Sequence, residues 1–215
     1  MRSKRGIVIA LIAVLLVCMC SCSKIPTPTE TADAFLTAIK EQDTETLATA
    51  YADDKFDLLD EAAGTDESEE VVDETGLTKV FDEQMLPKML DFDYELSNEQ
   101  IDGDKATVDV KFTTYKMGDA FTAFFSEYLS QALILAFSDT SEEELDAMAT
   151  TLLSGKIADL DEKNFEKTAT LSLSMKDDKW VVDEVEPASD VVDALTGGLV
   201  TAFNGMEDAM SAWEE

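Results

Sequence analysis

Three kinds of side chain in this sequence could do chemistry: three cysteines, four tyrosines and a large number of carboxylates. The cysteines stand at alternate positions, Cys18, Cys20 and Cys22, and a thiolate can form a covalent bond or bind a metal. The carboxylates number 47, and the sequence contains no histidine. Carboxylates and tyrosines together can transfer protons and stabilise an oxyanion. What these groups do depends on where the chain places them.

The cysteines lie at the end of a segment with the layout of a signal peptide. Arg2, Lys4 and Arg5 give it a positive start, and residues 6–17 carry no charged or polar side chain. Twelve helical residues span about 18 Å, which is too short for a hydrocarbon core of about 30 Å. We therefore expect residues 1–21 to be a cleaved leader and not a membrane span.

The run Cys18-Met19-Cys20-Ser21-Cys22 resembles the lipobox of bacterial lipoproteins, in which a small residue precedes the cysteine that receives diacylglycerol. Ser21 is small, so Cys22 is the expected lipidation site, whereas Cys20 and Cys18 follow bulkier residues. Where the family usually has Leu and then Ala or Ser, this sequence has Met and Cys. The resemblance implies a chain anchored by diacylglycerol and palmitate-like acyl chains to the extracytoplasmic face of the cell membrane, since two acyl chains suffice for stable anchoring. The alternative is a secreted protein whose cysteines leave with the leader.

The composition excludes several functions. Loss of the three leader cations would leave 13 lysines against 47 acidic residues, a formal charge of −34, with no arginine or histidine. The chain would then lack the usual zinc ligands, a cysteine nucleophile and a Ser-His pair. It would also lack the arginine that clamps phosphate, and its negative surface would repel nucleic acid. We expect no cofactor, no metal ion, no catalytic residue and no nucleic acid partner.

One acidic segment raises the question of calcium. Residues 60–74 contain eight acidic residues, but neither they nor the residues around Asp53 and Asp159 have the spacing of an EF-hand loop. A solvated acidic loop is the favoured interpretation, and calcium binding is the alternative.

The remaining sequence predicts α+β structure. Residues 22–29 form a tether with two prolines, and residues 30–215 form a single domain. The apolar spacing predicts two short helices through Phe35 and Tyr51, and a third from Leu77 to Met89 that is interrupted at Pro87. Alternating residues then predict two antiparallel hairpins, with turns at Asp102-Gly103 and Asp177-Asp178 and a last strand at residues 180–185.

Two helical segments complete the prediction. A helical hairpin at about residues 118–161 is inserted between the ribbons. Its first helix, to Phe137, is expected to be buried on most sides, and a Ser141–Glu144 capping box starts its second. A long amphipathic C-terminal helix spans about residues 188–213, with close packing or a bend expected at Gly197-Gly198 and Gly205. The fold class is an antiparallel curved sheet of about four strands packed with these helices.

Two segments resemble parts of a known fold. Residues 31–40 (TADAFLTAIK) with Gln42-Asp43, and the hairpin at residues 175–183 (MKDDKWVVD), are similar to segments of the nuclear-transport-factor-two-like (cystatin-like) domains of Gram-positive lipoproteins. The resemblance covers about half of the chain, and the inserted hairpin and long C-terminal helix depart from it. It implies a sheet curved around helices and a domain of unknown function, so it supplies no activity.

Three functions follow as hypotheses. We expect a non-catalytic binding or scaffolding module, with a pocket between sheet and helices for a small apolar ligand. Four methionines would suit such a pocket, and they would suit a plain hydrophobic core equally well: Met85, Met89, Met148 and Met175. The alternative is an envelope interaction protein, using the helical hairpin or the stripe from Val192 to Trp213. The least favoured is an isomerase-like enzyme that would use an aspartate with one of the tyrosines: Tyr51, Tyr94, Tyr115 or Tyr128.

Overall fold

The protein has an α+β fold built on one open antiparallel sheet. The computed structural model describes residues 25–52, 76–135, 137 and 140–211. The four strands lie in the order β1-β2-β3-β4, so strands that are consecutive in the chain are neighbours in the sheet. Their bounds are β1 Asp93–Asp102, β2 Lys105–Thr114, β3 Phe165–Lys176 and β4 Lys179–Val182. Both predicted hairpins and the predicted fold class are confirmed, although the last strand ends at Val182 and not at residue 185.

The helices of the described residues pack on one face of the sheet and extend beyond one end of it. Their bounds are α1 Pro28–Glu41, α2 Thr44–Ala50, α3 Gly76–Val80, α4 Leu86–Leu90, α5 Met117–Leu135, α6 Glu142–Ala158, α7 Asp190–Leu195 and α8 Leu199–Ser211. A π-helical turn, Phe81–Met85, joins α3 to α4. The predicted irregularity therefore precedes Pro87 and takes the form of a widened turn.

The first hydrophobic core lies between α1 and one face of the sheet. Phe35 and Leu36 of α1 are fully buried there, beside the alternating residues Val108, Val110 and Phe112 of β2. The period of two in β2 and the helical spacing in α1 thus place apolar side chains on facing surfaces, as the sequence predicts.

Helix α1 runs antiparallel to β1. The backbone N–H of Thr29 donates to Glu99, which is near the end of β1, at 2.9 Å. The Lys40 ammonium, near the end of the helix, donates to the carbonyl of Phe92, just before β1, at 2.6 Å. The N-terminus of the described chain therefore lies at the sheet end that carries the β1–β2 turn.

A second hydrophobic core lies among the helices at the opposite end of the sheet. Its buried members come from α3 to α6 and from the start of α8: Val80, Met85, Met89, Met117, Ala120, Phe124, Ala149, Leu153, Ile157 and Leu199. The helical segments join the sheet where β1 begins, β2 ends and β3 begins, and these three points are neighbours in the strand register. The molecule therefore has a sheet core and a helical core placed end to end.

Two predictions about the helices need correction. Helix α5 is not buried on most sides: Leu133 and Ile134 are 67% and 71% exposed, and Phe137 beyond it is 94% exposed. The C-terminal helix is present but divided, because α7 ends at Leu195 and α8 begins at Leu199. The bend expected at Gly197-Gly198 is confirmed, whereas α8 passes through Gly205 without a break and a Cβ there would meet no neighbour within 4 Å.

Candidate binding groove

Helices α5 and α8 both start from one contact between glycine backbones. The N–H of Gly118 donates to the carbonyl of Gly197 at 3.0 Å. A Cβ on Gly118 would lie 2.2 Å from the Gly198 carbonyl oxygen, and a Cβ on Gly197 would lie 1.9 Å from the Tyr115 oxygen. Gly197 and Gly198 also have φ values of +67° and +88°. Only glycine satisfies both the backbone conformation and the close approach, so these residues fix where the two helices meet.

A buried carboxylate holds the start of α8 in place. The Asp193 side chain, 4% exposed as a residue, accepts the backbone N–H of Thr201 at 2.7 Å and its hydroxyl at 3.0 Å. It also accepts a hydrogen bond from the Lys167 ammonium of β3 at 2.9 Å. Burial acts to raise the pKa of Asp193, but the hydrogen bonds from Lys167 and Thr201 outweigh burial, and the pKa is lowered. The charge is therefore stable in place and ties α8 to α7 and the sheet.

From the glycine contact an open groove of about 810 Å³ extends between α5 and α8. We call it the α5–α8 groove. One wall is formed by α5 and the other by the start and body of α8, and the lining residues are Gly118, Asp119, Thr122, Phe125, Ser126, Leu129, Leu133, Gly198, Thr201, Ala202, Gly205, Met206 and Ala209. Its volume is in the range of natural ligand sites.

Most of the polar side chains of the groove are already satisfied within the protein. The hydroxyl of Thr122 donates to the Gly118 carbonyl at 2.9 Å, and that of Ser126 donates to the Thr122 carbonyl at 2.9 Å. Thr201 is bound to Asp193. What the groove offers to a ligand is therefore chiefly apolar surface, from Phe125, Leu129 and the small residues of α8.

The charged residues of the two walls are all acidic. Helix α5 contains Asp119 and Glu127, helix α8 contains Glu207 and Asp208, and neither helix contains lysine or arginine. Glu127 pairs with Lys156 of α6 at 2.8 Å, and Asp119 lies 4.0 Å from Lys116. Glu207 and Asp208 are exposed. The groove thus has an apolar lining, and Asp119 is the charged residue among its lining residues.

The pocket predicted from the sequence, between the sheet and the helices, does not coincide with this groove. The concave side of the sheet is filled by α1 and forms a core, and none of the four methionines assigned to the pocket lines the groove. Met85 and Met89 are buried in the helical core, and Met175 packs against the sheet core. Met206 is the methionine that lines the groove. Cys22, the predicted lipidation site, and the acidic residues 60–74 lie outside the described residues.

Three of the tyrosines considered for catalysis have structural hydrogen bonds. Tyr51 accepts the N–H of Val185 at 2.8 Å, Tyr94 donates to Asp33 at 2.8 Å, and Tyr115 donates to Asp91 at 3.0 Å. Desolvation is the main cause that raises the pKa of Tyr94 and of Tyr115. Tyr128 packs on Phe124 with ring centroids 5.9 Å apart. None of the four lines the groove.

The pKa shifts of the described carboxyl groups all have one direction. Every described carboxyl group with a displaced pKa is shifted downward: Asp43, Asp91, Asp109, Glu144 and Asp193. Over residues 25–52, 76–135, 137 and 140–211, no three acidic side chains converge on a point that could hold a metal ion.

Comparisons with known proteins leave the chain without a family. No family model matches the sequence, and no curated protein matches it. The chain is similar to the crystal structure of a Bacillus subtilis protein, YcdA, described as a "putative lipoprotein". The sequence identity is 16% and the TM-score is 0.42, over 72% of this chain. The match spans 44% of the Bacillus protein, less than half of its length.

These comparisons give no support to the nuclear-transport-factor-two-like resemblance. The α+β class is confirmed by the sheet itself, whereas membership of that family is not shown by any match. In the part of the chain that the structure describes, no helix is both long and apolar enough to cross a membrane.

Proposed function

We propose that this protein is a non-catalytic binding protein, anchored to the outer face of the cell membrane by lipid on Cys22, whose binding site is the α5–α8 groove. The groove itself carries the proposal, because it combines about 810 Å³ of space with a lining whose polar groups mostly bind within the protein. Such a site gains free energy by taking apolar surface from water and needs no reacting group.

The neighbouring exposed side chains add support. At the end of the groove, Leu133 and Ile134 of α5 are 67% and 71% exposed, and Phe137, just after the helix, is 94% exposed. Contiguous exposed apolar residues on a soluble surface mark interaction sites. This arrangement favours an interaction through the helical faces over a small molecule enclosed between sheet and helices.

The groove is tested with Nile red, a neutral apolar dye that the acidic surface does not repel. Gly205→Leu places a side chain into the open space of the groove and improves helix propensity by up to about 1 kcal/mol, so the variant keeps its fold. We expect it to lose dye fluorescence. Asn204→Leu adds the same side chain at an exposed position outside the lining and is the matched control. Equal fluorescence from both variants would contradict the proposal.

The anchor is tested separately by membrane fractionation. Cys22→Ala removes the thiol that would carry the lipid, so we expect the protein to move from the membrane fraction to the soluble fraction. Cys20→Ala and Cys18→Ala are the controls and should stay on the membrane. Retention of the Cys22→Ala protein with unchanged gel mobility would exclude this residue as the anchor.

A further inference from the structure

The walls of the α5–α8 groove have a spacing of small and apolar residues against which a third helix could pack. The small residues Ala202, Gly205 and Ala209 recur along α8 at intervals of three and four, which places them on one helix face, and Gly198 directly precedes the helix. On the opposite wall Thr122, Phe125, Leu129 and Leu133 recur at intervals of three and four. A helix lying between these walls could approach α8 closely and pack its apolar side chains against α5.

The dimensions of the walls agree with a helical occupant. From Gly118 to Leu133 helix α5 advances 15 residues, which is about 22 Å or four turns. A groove open along this length leaves one side of an occupant in water. An amphipathic helix, with one apolar face and one polar face, satisfies both conditions.

The net charge of the chain determines the sign of the occupant. Asp119 lines the groove, Glu207 and Asp208 are exposed on α8, and the whole chain has a formal charge of −31. A second copy of this chain would bring the same excess of negative charge, whereas a basic helix would be attracted to it. We infer, on the basis of the function proposed above, that the α5–α8 groove binds a cationic amphipathic helix of another protein.

The position of the groove indicates from which side this partner arrives. Cys22 is three residues from Ile25, so the chain can separate them by at most about 10 Å. Ile25 precedes α1, whose start lies at the β1–β2 turn. The groove begins beside Phe165, at the other end of strands about 30 Å long. A lipidated Cys22 therefore leaves the groove on the side away from the membrane.

The experiment uses the full chain in phosphatidylcholine nanodiscs, with empty nanodiscs as the blank. The probe is an 18-residue amphipathic helix of leucine and lysine, compared with the same peptide carrying glutamate for lysine and with a scrambled lysine peptide. We expect the amphipathic lysine peptide to bind at least tenfold more tightly than either and to displace Nile red. Gly205→Leu should weaken its binding at least tenfold, and Asn204→Leu should not.

The outcomes separate this inference from the proposed function. Equal binding of the glutamate or the scrambled peptide would overturn the inference, because affinity would then not depend on a cationic helix face. Dye binding that is lost in Gly205→Leu without any peptide binding would also overturn it and leave the proposed function standing. Dimerisation that blocks the dye would assign the groove to a second copy and overturn it. Absence of dye binding to the unmodified protein would contradict the proposed function itself.

Discussion

At the scale of single residues, Asp193 connects three parts of the structure. It belongs to α7, accepts a hydrogen bond from Lys167 of β3, and accepts two from Thr201 of α8. Lys167 also donates to Asp190 at 2.7 Å, so one ammonium is shared by two carboxylates. The first turn of α8, which the Gly197-Gly198 break separates from α7, depends on this carboxylate for its exact position.

We predict that Asp193→Asn lowers the free energy of unfolding by about 2 kcal/mol at pH 7, because hydrogen bonds to a charged group are lost or weakened. The pKa of Asp193 is lowered in the folded protein. Its stabilisation is therefore present above the unfolded pKa of about 4 and is lost as the pH falls through the folded pKa. Urea unfolding at pH 7 and below pH 4 measures both values.

The variant and the unmodified protein should become similar in stability at the acidic end of this range. Asp190→Asn, at an exposed carboxylate on the same lysine, is the control and should cost less at pH 7. A stability difference for Asp193→Asn that stays constant down to pH 2 would show that its charge is not the cause.

Nothing in the sequence distinguishes Asp193 from the other carboxylates, because its burial depends on a lysine 26 residues away and on a turn between two helices. The glycines were better signals. Gly197-Gly198 predicted the bend correctly, since adjacent glycines in an apolar helical pattern are costly without a packing reason. Gly205 predicted a similar constraint wrongly, because its missing side chain leaves groove space and not a contact.

At the scale of elements, the sequence predicted the features that depend on the local pattern of residues. The strands followed from alternation, the turns from Asp-Gly and Asp-Asp, and the start of α6 from the Ser141–Glu144 capping box, which the structure confirms. It could not predict which side of α5 is covered. Its composition is apolar nearly all round, and coverage depends on how many helices pack against it.

We predict that Leu133→Gln changes the free energy of unfolding by less than about 0.5 kcal/mol, because this residue of α5 is largely exposed. Leu153→Ala in α6, at a position 5% exposed within the helical core, should cost about 3 kcal/mol. Urea unfolding of both variants checks the difference. A loss of several kcal/mol for Leu133→Gln would mean that the end of α5 is packed in the free protein.

At the scale of the whole molecule, the two ends of the sheet carry different parts of the structure. The start of the described residues and the β1–β2 turn lie at one end of the sheet, and the helical core and the groove lie at the other. A hairpin joins β1 to β2 at the first end, and the inserted helices α5 and α6 join β2 to β3 at the other, so the antiparallel strands run the length between the two ends. The sequence predicted the hairpins, but the position of α1 across the sheet came only from contacts between distant residues.

We predict that a bilayer-bound quencher reaches the two ends unequally. A bimane label on Asp104→Cys, in the β1–β2 turn, should be quenched by spin-labelled lipid headgroups, and a label on Asn204→Cys, in α8, should not. The fold places these two positions at opposite ends of the sheet, and the proposed lipid on Cys22 would hold the β1–β2 turn nearer the membrane. Fluorescence of the full chain in vesicles measures the effect, and Cys22→Ser should abolish the quenching at residue 104. Stronger quenching at residue 204 would reverse the proposed orientation.

The glycine contact at the base of the groove joins α5 and α8 at their starts, and the two helices are less constrained toward their ends. Their backbones touch near Gly118 and Gly198, Phe121 and Phe203 pack with ring centroids 4.8 Å apart, and no described residue of α8 after Leu199 is buried. Beyond Phe203, α8 extends for eight residues or about 12 Å, so a tilt of about 5° would move its tip by about 1 Å. The same fixed joint can therefore admit side chains of different sizes at the tip while holding the base of every occupant in one place.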